Sequence, residues 1–327
     1  MEIFNLTLTQ MLMIFTLIII GFIIRKKNIV GEEAVRVLSR VETYAIVPAL
    51  NFNNFMEKCT VENFVTYYPL MFYGLGIITV SVLIAYLTAG LFVKTKDEDS
   101  ALRYKKNIYK YSLTFGNFGF MGNFLILGIW GDMAFFKYSM FTFFITMVCN
   151  IWGLLILIPD TEDKPSIRKT VMKALTTPPV VTVFLGMIAG FLNLSSVLPA
   201  FLKSALTSAG GCMGPVAMLL AGIVIGGYKI GEILKEKKVY ILSFLRLIVI
   251  PGIFLTVLIL IKAPLDVLTF TLIAFATPLG LNTIVYPATY GGETKTGASM
   301  NMISSTFSVI TLPLMYYLFI EVLSKII

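Results

Sequence analysis

The sequence predicts an all-α polytopic membrane protein of ten transmembrane helices built as two inverted five-helix repeats. Three observations predict it. The chain is 57% hydrophobic and only 13% charged, a composition that cannot be folded around an ordinary water-soluble surface. Its apolar runs alternate with charged flanks in a way that separates the two sides of a bilayer. Several local features then recur at nearly one offset, about half the chain.

A length of 327 residues, divided into spans of ~20 residues with short loops, leaves room for about ten helices and for no sizeable soluble domain. In chain order the apolar runs fall near 6–24, 37–56, 65–93, 107–129, 134–158, 178–193, 197–228, 239–262, 266–288 and 298–323. The first is not read as a cleaved leader: its apolar run is long, Glu2 stands where a basic region belongs, and Arg25, Lys26 and Lys27 follow it. Alternate loops, with residues such as Lys110 and Arg246 counted as flanks, collect 21 of the 26 Lys and Arg residues on one side. Lys58, Lys137, Lys203, Lys262 and Lys325 fall on the other. That asymmetry is the positive-inside rule, and it places both termini outside a cytoplasmic, plasma-type membrane. The net charge of +8 is therefore assigned to topology and anionic lipid headgroups, not to nucleic acid.

The longest polar loop, 159–177, holds Asp160, Glu162, Asp163, Lys164, Arg168, Lys169 and Lys173 at the midpoint of the chain. It reads as a cytoplasmic linker between a first repeat at 1–158 and a second at 178–327. Across it Gly21 recurs as Gly190, Pro48 as Pro215 and Asn117 as Asn282. Each unit has five spans, an odd number, so the second copy enters the membrane from the opposite side.

The fourth and ninth spans are interrupted. Gly116-Asn117-Phe118-Gly119 breaks one, and Pro278-Leu279-Gly280-Leu281-Asn282 breaks the other. In hydrocarbon an unpaired backbone amide costs several kcal/mol, so broken helices persist where something else uses the freed groups. The start of a half-helix carries a partial charge of about +0.5, so two such ends hold an anion without Lys or Arg. No Lys, Arg or His is placed near the centre of any span by these boundaries. Asn117, Asn282, Gly116, Gly119 and Pro278 are the candidate substrate-binding residues, joined by Asn51 after Pro48 as a cavity-lining candidate. Packing of small residues around interhelical Asn, or a simple proline kink, is the competing reading at each break. The equivalent repeat positions favour a site.

Glu42, about two turns inside the second span, is the best acidic candidate for ion coupling, and reaching the cytoplasmic interface is the favoured reading of it. A buried Asp/Glu/His proton relay has no evident members. Sodium coupling is left open, with Ser112, Thr114 and Thr277 as the candidate cation site. Three cysteines without a CxxC pair, and no His, offer no metal set and no cofactor. The span interiors supply no nucleophile or paired carboxylates, so no catalytic residues are assigned and an enzyme is not expected. A channel or sensor is the harder alternative, because broken helices also build filters.

Asn117-Phe118-Gly119-Phe120-Met121-Gly122, Pro278 with Asn282, Tyr290-Gly291-Gly292, Pro48-Ala49-Leu50 and Pro215-Val216-Ala217-Met218-Leu219 together resemble the auxin efflux carrier family over essentially the full length. Asn123 departs from the pattern, standing where a proline often follows the glycine. The resemblance implies a fold shared with bile-acid/sodium symporters, in which spans four and nine cross as broken helices and an elevator-type movement gives alternating access. It further implies a secondary active or facilitative transporter of small organic anions, mono- or dicarboxylates such as malate or malonate, or auxin-like carboxylates. Asn117 and Asn282 would contact the carboxylate, and Pro278 would mark the crossover. A sodium-coupled symporter of larger organic anions is the alternative, and a homodimer is left open.

Overall fold

The computed structural model describes residues 2–94, 99–159 and 165–324. Asp160, Glu162, Asp163 and Lys164 of the linker, and Lys325, lie outside the described residues. The regular secondary structure is helical, and one isolated antiparallel bridge among the described residues pairs Gly116 with Leu279.

In chain order α1 is Glu2–Lys26, and α2 runs over 33–58 with a π-helical turn at Glu42–Ile46. Thr60 caps α3, Val61–Phe92, by accepting the Asn63 amide at 3.1 Å. Asp99 caps α4a, Ser100–Thr114, through the Leu102 amide at 3.0 Å. The apolar stretch Phe118–Leu157 is 40 residues long. A straight helix of that length would extend about 60 Å, twice the hydrocarbon thickness. Gly131 resolves the mismatch: its backbone, at φ 77° and ψ −171°, is non-helical, dividing the stretch into α4b (118–130) and α5 (132–157). Ser166 caps α6, which consists of Ile167–Leu175 and Pro178–Phe191 bent by 49°. Then follow α7, Ala200–Gly226, and α8, Lys237–Leu260. α9a is Leu265–Ala276, α9b is Asn282–Thr289, and α10 is Lys295–Leu323.

Six of these stretches are long and apolar enough to cross a membrane, or seven if the bent α6 counts as one span. The chain is a multi-pass membrane protein. The other segments expected to span are helical but differ for identifiable reasons. α2 carries Glu33, Arg36, Arg40, Glu57 and Lys58 towards its ends, α4a begins with Arg103, Lys105 and Lys106, and α9 is cut into two short pieces.

The helices sort into two packing groups, which meet where α1 packs against α10 and α7 against the start of α4b. α1 lies along α7, and α2 lies along α6, with α2 also touching the start of α7. The crossing contact is close in each pair: a Cβ on Gly21 would run into the Leu219 carbonyl, and one on Gly190 would meet the carbonyls of Phe55 and Cys59 at 2.7 and 2.6 Å. Lipid offers no hydrophobic drive between helices, so such small-residue approaches carry the packing. The second group comprises α3 against α4a and α5, and α8 against α9a and α10.

Candidate functional site

The two breaks meet. Helix α4a ends at Thr114, and α9a at Ala276, where Pro278 cannot continue the ladder. The Asn117 amide donates to the Pro278 carbonyl at 2.7 Å, beside the antiparallel bridge of Gly116 and Leu279. A Cβ on Gly116 would stand 2.8 Å from Thr277 Oγ1 and 2.9 Å from its carbonyl, so glycine is required for the approach. Around Gly119 an added Cβ would meet nothing within 4 Å.

Beyond the breaks, amides are left over. The first ladder bond of α4b runs from the Gly122 amide to the Asn117 carbonyl at 2.9 Å, so the amides of Phe118, Gly119, Phe120 and Met121 precede it. Among the described residues the amides of Gly280 and Leu281 likewise carry no hydrogen bond. The Asn117 side chain, 6% exposed, lies among these groups without a hydrogen-bond partner of its own among the described residues.

Asn282 is differently placed. Its Nδ2 donates to Tyr111 Oη at 2.9 Å and lies 3.7 Å from Cys149 Sγ, while the Tyr111 hydroxyl and Cys149 are 3.2 Å apart. Both amide hydrogens are thereby engaged. Asn51 is turned away from the breaks, its amide donating to the Pro179 carbonyl at the start of the second half of α6 at 3.1 Å. Of the candidate cation residues, Ser112 donates to Met300 Sδ at 3.0 Å and Thr114 Oγ1 to the Lys110 carbonyl at 2.9 Å. The Thr277 hydroxyl is buried with no partner among the described residues.

Sequence reasoning missed the residues that hold the crossing from outside. Asn301 and Ser304 of α10 satisfy both peptide groups of Leu279: Asn301 Nδ2 donates to its carbonyl at 2.8 Å, and Ser304 Oγ accepts its amide at 2.9 Å. Arg246 is the larger correction. Counted with the charged flanks, it is in fact completely buried on the π-helical turn Leu245–Val249 of α8, about 14 Å along the helix from Lys237. Its guanidinium donates to the Phe275 carbonyl, and to the Thr114 carbonyl at 3.4 Å. These are the last-turn carbonyls of α9a and α4a. Glu42 is also corrected: it does not reach the interface but is 1% exposed on its own π-turn, with neither carboxylate oxygen hydrogen-bonded among the described residues. A charge inside an apolar run is hard to tell from a flank by sequence, because the run's start is set by the nearest polar cluster, here Lys237 and Lys238.

A cavity of about 480 Å³ lies elsewhere, on the charged flank, lined by Phe92, Lys94, Lys105, Lys235, Glu236 and Lys238 among others. None of its lining residues belongs to either break.

The chain is an all-α multi-pass protein with two broken helices joined through their backbones, an arrangement that membrane transporters use at their binding sites. Residues 6–316 match the sequence model of the family described as membrane transport protein, and the chain belongs to that family, the auxin efflux carriers. The family is one of transporters and not of enzymes. No curated protein matches the chain.

Proposed function

We propose that this chain is a secondary transporter of small organic anions, mono- or dicarboxylates of the malate and malonate size, which it binds at the crossing of the two broken helices. The observation that carries the reading is the Asn117 amide on the Pro278 carbonyl, with unpaired amides of both half-helices beside it. Unpaired amides at helix starts attract an anion without any basic side chain, and a carboxylate is an anion of that kind. Asn117 supplies the side-chain contact, while Asn282, held by Tyr111 and Cys149, positions the start of α9b.

In this reading ten spans form two inverted repeats, 1–158 and 178–327, joined by the cytoplasmic segment 159–177, with both termini outside the cytoplasmic membrane. Paired roles support it. Gly21 and Gly190, 169 positions apart in the sequence, serve equivalent close contacts, one against the helix of Pro215 and the other against the helix of Pro48. π-Turns at Cys149–Gly153 and Tyr317–Leu323 fall in the fifth and tenth spans. The grouping of α1, α2, α6 and α7, which meets the second group where α1 packs on α10 and α7 touches the start of α4b, suits an elevator, in which the second group slides against the first.

Counterflow of radiolabelled malonate in proteoliposomes of the full chain tests the proposal. Saturable uptake driven by internal malonate, and competed by malate, is the expected result. Flux that never saturates would make the protein a channel.

A further inference from the structure

The carbonyls just before the two breaks present the opposite problem from the amides just after them. A half-helix that stops inside a membrane leaves its last carbonyls without partners and carries about −0.5 charge at that end. Two such ends, α4a and α9a, converge here, and together they amount to about one negative charge. A seat of that kind suits one monovalent cation.

Arg246 fills it. The guanidinium reaches from α8 to the Phe275 carbonyl of one end and the Thr114 carbonyl of the other, and its carbon lies 5.0 Å from the centre of the Phe275 ring. The Thr114 carbonyl also accepts from Ser81 Oγ at 3.2 Å. Among the described residues no carboxylate pairs with Arg246. A fully buried cation ordinarily needs a counter-charge. The two carbonyl ends and the aromatic face are what Arg246 has. The π-turn that carries it widens the helix locally, a device associated with functional positions.

We propose that the Arg246 guanidinium is the tethered counterpart of a coupling cation, seated between the carbonyl ends of α4a and α9a, so that the crossing is assembled and moves without a mobile sodium ion there. The freed amides of α4b and α9b then keep their positive character for the substrate, because the negative ends on the other side of the crossing are neutralised by the protein itself. Thr114, a candidate for a sodium site from sequence, contributes its carbonyl to the arginine instead. The transport consequence rests on the carboxylate-transporter reading, whereas the filled seat rests on geometry alone.

The test is thermal unfolding of the purified full chain, followed by fluorescence of Trp130 and Trp152, in sodium, potassium or choline chloride at equal ionic strength. The wild type is expected to melt at one temperature in all three. Arg246→Ala is expected to melt lower and to recover in part on adding guanidinium or sodium, with a shift that saturates as a bound ligand's does. Arg246→Lys, which keeps the charge but loses the two-pronged reach, is expected between them. Saturable stabilisation of the wild type by sodium and not by choline overturns the proposal, as does Arg246→Ala melting like wild type and ignoring every cation. Should Arg246→Ala fail to fold, the wild-type ion series and Arg246→Lys still decide. In proteoliposomes, malonate counterflow equal in sodium and choline is expected. Absence of malonate flux with the melting pattern intact would count against the substrate reading alone, leaving the arginine seat standing.

Discussion

The peptide N–H of Asn117 donates to the carbonyl of Pro278 at 2.7 Å, so each broken helix repairs part of the other. In an unbroken helix that carbonyl would accept from Asn282, four residues on. The break turns it outward, and the neighbouring broken helix supplies the missing donor. Crossing and binding thus divide within one residue: the Asn117 backbone holds the joint, and its side chain is left for something else.

The first prediction follows from that division. Asn117→Ala keeps the amide that makes the joint and removes only a carboxamide without a protein partner among the described residues. The variant should melt as wild type does. Losing one hydrogen bond to a carboxylate should weaken malonate binding by about 1.5–3 kcal/mol, roughly 10- to 150-fold. Calorimetric titration with malonate, beside a melting curve, measures both. Unchanged affinity would remove Asn117 from the site.

Two glycines three positions apart should separate assembly from binding. At Gly116 an alanine methyl has Thr277 Oγ1 and the Thr277 carbonyl within 2.9 Å, and overpacking of this kind costs about 1–3 kcal/mol. Gly116→Ala is expected to lower the melting temperature and transport together. At Gly119 nothing stands within 4 Å, so Gly119→Ala should fold normally, and any fall in uptake reports a methyl placed in the substrate's space. Equal melting of the two variants would show that the close approach is not what the joint depends on.

The two peptide groups flanking the Leu279 Cα depend on α10. Asn301→Ala strips its carbonyl of a donor and Ser304→Ala strips its amide of an acceptor, in a place where both Asn301 and Leu279 are at most 1% exposed. Each should cost about 1–3 kcal/mol. The two residues serve the successive peptides on either side of the Leu279 Cα, and Ser304 Oγ also reaches the Asn301 carbonyl at 3.3 Å, so a double-mutant cycle should show coupling and not simple additivity. Melting of the two single variants and the double variant provides the cycle.

The breaks themselves were readable because Gly, Pro and Asn interrupt apolar runs that otherwise have no reason to contain them. Their partners were not. Ser304 and Asn301 sit in a helix whose serines also suit ordinary small-residue packing, and only the fold brings them to Leu279. Arg246 reads as a flank because an apolar run has no marked depth until another helix fixes it; the carbonyls it serves lie 29 and 132 positions away in sequence. Glu42 reads as interfacial for the same reason, and the fold buries it at the start of a π-turn that periodicity does not foresee. Between the fourth and fifth spans the sequence places a turn near residues 130–133, and Gly131 takes it although the helix runs on either side.

That turn decides between the ten-span arrangement and a single long helix. If α4b and α5 are separate spans, Asp132 faces the extracytoplasmic side, where the neighbouring Lys137 pairs with Asp266 at the start of α9a at 2.9 Å. Ser166, ahead of α6, then lies inside. Cys59 and Cys149 are buried and Cys212 is exposed, so a Cys212→Ser background leaves little native thiol to react. In that background Asp132→Cys should be labelled by a membrane-impermeant maleimide on intact spheroplasts, and Ser166→Cys only after the membrane is opened. The odd number of spans between the two positions in the ten-span arrangement, α5 alone, is what forces opposite sides. Labelling of both from the same side would break the inverted pairing of the repeats and, with it, the opposed orientation of α4b and α9b on which an anion cradle depends.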